Sequence, residues 1–385
     1  MSEQRRKKKN YSSFPWAVFT AYMLAGAACG AVIMLHLERI YTSGEQTHVR
    51  MLRFMLLFMC MYGAIIVQIV IHEAGHLLFG MATGYRFNSF RIFNLMWIKE
   101  NSGIRFRRMS LSGTGGQCLM NPPDLTDGKM PVMLYNYGGV ILNTVSVPLF
   151  AVLALLCPAG SFGRPALLLS AVIGLSYAFV NGFPLGVGLV NNDGKNALDA
   201  SRSPEALRAF WIQMKANEMT SKGARLREMP DEWFMLPSDE AMKNSIIAVV
   251  GALACSREMD AHRFEQADRL MAGMLSKQNG IVGLHRAMMN CDRIFVRLIR
   301  QNSPEAVERL LSKEQKKIMK AYRAYPSVLR TEYALALLRD GDLEKAAGVR
   351  KKFEQTASSY PYPVEIEGER ELMDIAEEKA RSGRS

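Results

Sequence analysis

Apolar residues are massed in the first half of the chain and spaced at intervals in the second. Four runs stand out: Pro15 to Leu37, Leu52 to Phe79, Pro131 to Cys157, and Ala166 to about Val190. A helix needs roughly 20 residues to cross a hydrocarbon layer of about 30 Å, and each run is long enough. Between the second and third runs, from Tyr85 to Leu111, the pattern becomes an alternation. Phe93, Leu95 and Trp97 fall on one side, and Ile92, Asn94, Met96 and Ile98 on the other. A turn at Glu100-Asn101-Ser102-Gly103 interrupts the alternation, which resumes through Ile104-Arg105-Phe106-Arg107 and predicts two or more strands at a membrane surface. After Gly194 the apolar positions take helical spacing. Ser203-Pro204-Glu205 and Ser303-Pro304-Glu305 each read as a helix start, a capping serine followed by proline in the first turn. The expected fold class is α: a polytopic membrane protein with about four transmembrane helices, a small surface β-hairpin region and a soluble helical domain. Its expected parts are a basic cytoplasmic segment 1–14, a membrane-embedded core 15–195, a cytoplasmic α-helical domain 196–379 and a disordered tail 380–385.

Charge refines this picture. Arg5, Arg6, Lys7, Lys8 and Lys9 precede the first run, as in a secretory signal peptide. The run spans ~23 residues and no Ala-x-Ala-like site closes it, so it reads as an anchor. The second connection carries Arg86, Arg91, Lys99, Arg105, Arg107, Arg108 and Lys129, whereas the first has Arg39 and Arg50 and the third only Arg164. Basic residues stay on the cytoplasmic side. Both termini are therefore expected there, with lipid as the surrounding partner. Topology accounts for much of the net charge of +12. No stripe of basic residues with interleaved aromatics appears, so nucleic-acid binding is not expected. Gly113-Thr114-Gly115-Gly116-Gln117 lacks the lysine and context of a phosphate loop. The six cysteines form no Cys-x-x-Cys pair, so neither a cysteine zinc site nor a dithiol redox motif is suggested, and the chain reads as reduced.

The polar exceptions inside the second run carry the chemistry. His72-Glu73-Ala74-Gly75-His76 places two imidazoles four residues apart on one helix face, with a carboxylate beside them. Ionisable groups at membrane depth cost at least ~2.5–3.5 kcal/mol each on insertion scales, so three together point to function. Zinc accepts such imidazole ligands, and a neighbouring carboxylate can take a proton from water. A third ligand is needed. His36 and His48 lie toward the opposite membrane face, and His262 and His285 in the polar half. Asp193, in Asn191-Asn192-Asp193-Gly194, closes the fourth run at the depth of His72 and is the expected ligand. Read alone, Asn-Asp-Gly is a turn and Asp193 a helix cap. Pro184 with Gly182, Gly186 and Gly188 should break the helix just before it.

These residues resemble the site-2 proteases, the intramembrane zinc metalloproteases of peptidase family M50. The likeness covers roughly residues 50–200. It rests on His72-Glu73-Ala74-Gly75-His76, on Gly138-Gly139-Val140-Ile141-Leu142-Asn143, and on Asn181-Gly182-Phe183-Pro184 followed by Asp193-Gly194. It departs from the family in the longer stretch between Pro184 and Asp193 and in Asn192, where the family usually has Leu. The resemblance implies zinc on His72, His76 and Asp193, with Glu73 as catalytic base. It also implies that Asn181 positions substrate or stabilises the oxyanion; read alone, Asn181 equally makes an interhelical hydrogen bond. Asn143 reads as helix-packing glue. The implied reaction is hydrolysis of a peptide bond within or next to a membrane segment of a membrane-protein or signal-peptide-like substrate. The surface strands could take an extended substrate by strand addition, or be structural. Gly251–Cys255 through Phe264–Ala267, and Tyr333–Leu337 through Leu343–Ala346, resemble degenerate tetratricopeptide repeats. The helical domain is thus a candidate for binding a cytoplasmic protein partner, by analogy. The competing expectation is a membrane-anchored adaptor without proteolytic activity, to which the intact Glu73 is opposed.

Overall fold

All four apolar runs fold as helices in the computed structural model: α1 (Trp16–Tyr41), α2 (Thr47–Ala82), α3 (Met133–Leu156) and α4 (Gly163–Gly182). The structure describes residues 16–41, 46–100, 103–109, 114–158, 160–187, 190–300 and 304–382. The basic amino-terminal cluster and residues 383–385 lie outside them. Among the described residues, these four helices are long and apolar enough to cross a membrane. Cys29 and Ile33 of α1, Leu57 and Ala64 of α2, and Leu169 and Ile173 of α4 form a buried apolar cluster. Leu24, Met34, Met55, Met59, Leu149 and Leu155 face outward. Water rarely tolerates so continuous an apolar surface, and lipid does.

Two boundaries move. Helix α2 begins at Thr47, ahead of the expected Leu52, and its 36 residues rise about 54 Å at ~1.5 Å each. Helix α4 stops at Gly182, short of Val190, because Phe183 is extended ahead of Pro184. Proline disfavours helical geometry in the residue before it.

Four strands lie between α2 and α3: β1 (Arg86–Ile92), β2 (Leu95–Glu100), β3 (Gly103–Arg108) and β4 (Gly116–Asn121). They form one antiparallel sheet in the order β3-β2-β1-β4. The alternation holds along β2, where Met96 and Ile98 are buried and Leu95 and Trp97 exposed. It does not run through the turn at Phe93-Asn94. Ile92 pairs with Leu95, and directly paired residues share a sheet face, so Ile92 sides with Leu95 and not with Met96. The glycine-rich stretch before Gln117 leads into β4, which pairs with β1.

Two compact units divide the chain. One is Met1–Thr83 with Pro131–Leu198, the other Gly84–Met130 with Asp199–Ser385. The sheet therefore belongs with the later helices, whereas the expected 15–195 core included it. Local contacts explain this. After the short strands β5 (Gly186–Val187) and β6 (Val190–Asn191) and helix α5 (Asp193–Ala200) comes α6 (Pro204–Ser221). On α6, Trp211 donates its indole N–H to the Pro123 carbonyl at 3.0 Å, and Lys215 pairs with Asp124 at 3.2 Å. Ser203 caps α6 as expected, accepting from the Ala206 N–H at 3.1 Å.

The remaining helices are α7 (Ser245–Asp260), α8 (Phe264–Ser276), α9 (Gly283–Arg300), α10 (Pro304–Leu310), α11 (Lys313–Ala321), α12 (Pro326–Ala334), α13 (Leu343–Ala357) and α14 (Pro363–Ser382). The two mutually similar segments fold alike. Helices α7 and α8 form one hairpin, and α12, extended by a π-helical turn at Leu335–Arg339, forms another with α13. Their turns place His262 and Gly341 in the left-handed region. Residues 380–382, expected in a disordered tail, complete α14 instead.

Candidate metal centre

His72 and His76 occupy successive turns of α2, so their rings meet on one side of the helix, 4.8 Å apart between centroids. Both are buried, as is Glu73 between them. The ring of His76 donates from Nδ1 to the Tyr135 backbone carbonyl at 2.8 Å. A carbonyl can only accept, so that nitrogen carries a proton, and in the neutral ring Nε2 has the lone pair. The Nδ1 of His72 meets Asn143 Oδ1 at 2.7 Å, an acceptor that favours the same neutral tautomer. Each histidine thus has the second partner that orients a metal-ligating imidazole.

Glycines bring α3 close enough for this. A Cβ on Gly75 would lie 2.2 Å from the Gly138 carbonyl oxygen, and one on Gly139 within 2.6 Å of the His72 ring. The expected Gly138-Gly139 motif therefore works as a surface against which α2 packs backbone to backbone. Asn143, expected as packing glue, does bridge helices: its amide donates to the Gln68 backbone carbonyl at 3.1 Å while its oxygen holds His72.

Asp193 arrives by a detour. The residues that lengthen the stretch after Pro184 fold back as the pair β5–β6, with Gly186 opposite Asn191 and Val187 opposite Val190. Asn192 stitches this loop to the end of α4. Its Nδ2 donates to the Val180 and Phe183 carbonyls, both at 2.6 Å. Its Oδ1 accepts from Leu185 N–H at 3.0 Å and from Lys195 N–H at 2.9 Å, capping α5. A Cβ on Gly194 would lie 2.3 Å from the Gly182 carbonyl oxygen, so only glycine lets α5 start against the end of α4. The result places Asp193 Oδ2 2.9 Å from His72 Nε2 and 3.4 Å from His76 Nε2. The two imidazole Nε2 atoms are 3.3 Å apart.

Two ring nitrogens and a carboxylate oxygen converge here. Ligands about 2.0–2.1 Å from a tetrahedral metal sit roughly 3.3 Å from one another. The observed separations bracket that value, and His72, His76 and Asp193 could hold a metal ion. Among the described residues the other histidines stand outside this group. Asn181 is not drawn into it either: its amide donates to the Tyr177 carbonyl at 3.1 Å, within its own helix, in place of an interhelical bond. Two residues escaped the sequence reading. Gln68 had a legible signal, an amide one helical turn before His72 in an apolar run. Asn192 had none, because its role exists only once the loop has folded back.

No protein-family model matches the chain, and no characterised protein or solved structure matches it either.

Proposed function

We propose that this protein is an intramembrane zinc metalloprotease of the site-2 type, cleaving a peptide bond within or beside a membrane segment of its substrate. One observation carries the reading: two imidazoles and a carboxylate converge on a point beside a buried glutamate, on a helix apolar enough to cross a membrane. Borderline-soft nitrogen with carboxylate oxygen, in a tetrahedral spacing that leaves a fourth position, is the donor set of catalytic zinc sites. Bound zinc would supply Lewis acidity, polarising the scissile carbonyl and making water acidic near neutral pH.

The chain's own residues do the rest. His72, His76 and Asp193 hold the ion, and Asn143 and the Tyr135 carbonyl keep both imidazoles in the ligating tautomer. Glu73 accepts the proton of the attacking water and returns it to the departing amine. A helical substrate hides its peptide carbonyls in hydrogen bonds, so it unwinds before attack. The helical domain selects or gates substrate through a cytoplasmic partner, and both termini lie on the cytoplasmic side of a four-span protein.

Glu73→Gln tests this. It preserves shape and ligands but removes the base, so zinc content should stay at the wild-type level. Cleavage of a membrane-segment substrate in detergent should fall by at least ~10²-fold. Full cleavage by the zinc-loaded variant would remove Glu73 as the base and with it the proposed mechanism; no cleavage by the zinc-loaded wild type would end the protease reading and leave the adaptor expectation standing.

A further inference from the structure

Gln68 takes no part in the chemistry above, yet its side chain is 0% exposed and fully engaged in hydrogen bonds. We propose that Gln68 is a positioning residue that holds His72 in its metal-ligating tautomer by relaying the orientation of a fixed backbone carbonyl, that of Ser170, through Asn143. The proposal rests on the metal-site reading and names a part of that site contributed by α4.

A side-chain amide can be turned either way round, and its neighbours decide which. Gln68 Nε2 lies 2.9 Å from the Ser170 carbonyl oxygen, which only accepts. The amino end of Gln68 therefore faces α4, and Oε1 faces the other way. There Oε1 accepts from Asn143 Nδ2 at 2.7 Å. The Ser146 hydroxyl fits the same polarity, donating to the Asn143 carbonyl at 2.7 Å and accepting from Gln68 Nε2 at 3.2 Å. With its amino end committed to Gln68, Asn143 presents Oδ1 to His72 Nδ1 at 2.7 Å. An acceptor at that position keeps the proton on Nδ1, so the neutral ring has its lone pair on Nε2, directed toward His76 and Asp193. The relay thus runs α4, α2, α3 and back to α2.

Gly174 makes room for it. A Cβ there would stand 2.7 Å from Gln68 Nε2 and push the amide off the Ser170 carbonyl. Without Gln68, Asn143 keeps only the longer bond, 3.1 Å to the backbone carbonyl of residue 68, and can turn its amino end toward His72. A donor facing Nδ1 selects the tautomer whose Nε2 carries hydrogen and cannot bind metal.

The test is a double-mutant cycle read by metal affinity. Zinc and cobalt affinities of the full-length protein in detergent are measured by chelator competition, with the cobalt absorption spectrum reporting the ligand set. Gln68→Leu should weaken affinity about 10-fold, in the range typical of lost outer partners, while the cobalt spectrum keeps its tetrahedral intensity. Asn143→Asp supplies an ionised carboxylate, which only accepts hydrogen bonds and so sets the His72 tautomer unaided. In that background Gln68→Leu should cost less than about 3-fold, or improve binding by removing an acceptor that faces the new carboxylate. An equal loss in both backgrounds would mean that Gln68 acts by packing alone and would overturn the proposal. So would unchanged affinity in Gln68→Leu. If Gln68→Leu does not fold, Gly174→Ala carries the same prediction and the same refutation. Failure of the wild type to bind either metal would instead remove the metal-site reading itself, a separate outcome.

Discussion

Gly139 offers the sharpest probe of the site, because its replacement strikes the His72 ring, a proposed ligand, without altering any polar group. In Gly139→Ala the new methyl would lie 2.6 Å from Cε1 and Nδ1 of His72 and 2.8 Å from Nε2. Carbon contacts settle at about 3.5–4.0 Å, so the shortfall is roughly 1 Å. Either the ring moves or α3 withdraws from α2. Ligand distances in metal sites tolerate only about ±0.2 Å, so a displacement several times larger takes His72 out of the ligand set. Withdrawal of α3 has the same consequence, since Asn143 and the Tyr135 carbonyl leave with it, and overpacking of this kind costs about 1–3 kcal/mol of stability. Zinc affinity should fall by at least ~10²-fold, the upper end of the loss seen when outer partners are removed, or about 2.7 kcal/mol. The assay is chelator competition on purified protein, with Tm measured alongside. Gly63→Ala is the control, on the same helix as His72 but with nothing within 4 Å of the added methyl. Wild-type affinity in a folded Gly139→Ala protein would refute the placement of His72 as a ligand.

Other perturbations test separate parts of the structure. Asp193→Ala should lower zinc affinity and abolish cleavage, because two protein ligands remain; undiminished zinc occupancy would show that the β5–β6 detour does not deliver the third ligand. Arg330 is buried on α12, donating to Asp292 and, at 2.9 Å, to Glu369 while stacking on the Phe295 ring at 4.7 Å. Burial holds both carboxyl groups above the usual carboxylate range, and the guanidinium pulls them back down. Groups raised in the folded state favour folding at low pH and lose that contribution as pH rises through their folded values. Arg330→Met, which raises them further, should therefore cost about 3–5 kcal/mol at pH 8 and distinctly less at pH 5, read as the Tm difference from wild type at each pH. A deficit independent of pH would show that the carboxylates are not charged partners of Arg330. For topology, reporters placed after Gly44 and Gly163 should be outside and those after Ser102 and Ser385 inside. A reporter at Ser385 found outside would imply an odd number of spans, with Asp193 and His72 on opposite faces.

Run lengths and residue spacing alone were enough to read four long apolar helices, the alternation along β2, the Ser203 cap and the His72–His76 pair. These features are local: an apolar run makes a helix wherever it lies, and residues four apart share a face in any helix. The end of α4 was less legible, because Phe183-Pro184 stops the helix where hydropathy alone runs on to Val190. The side of the sheet on which Ile92 falls depended on a two-residue turn that the alternation conceals. Asp193 could be proposed as a ligand from depth and resemblance, but its arrival beside His72 required the loop to fold back and Asn192 to bind it to α4. Gln68 and Asn143 show the same limit. Each is a lone amide in an apolar run, and its polarity has meaning only against partners on other helices. Those partners are chosen where Gly75, Gly138, Gly139, Gly174 and Gly194 let backbone or a polar side chain approach within distances that a Cβ forbids. Sequence by itself determined the helices and the face of one of them that carries both His72 and His76. Tertiary structure decided which surfaces meet, because close packing is a joint property of two elements and leaves no periodic trace in either.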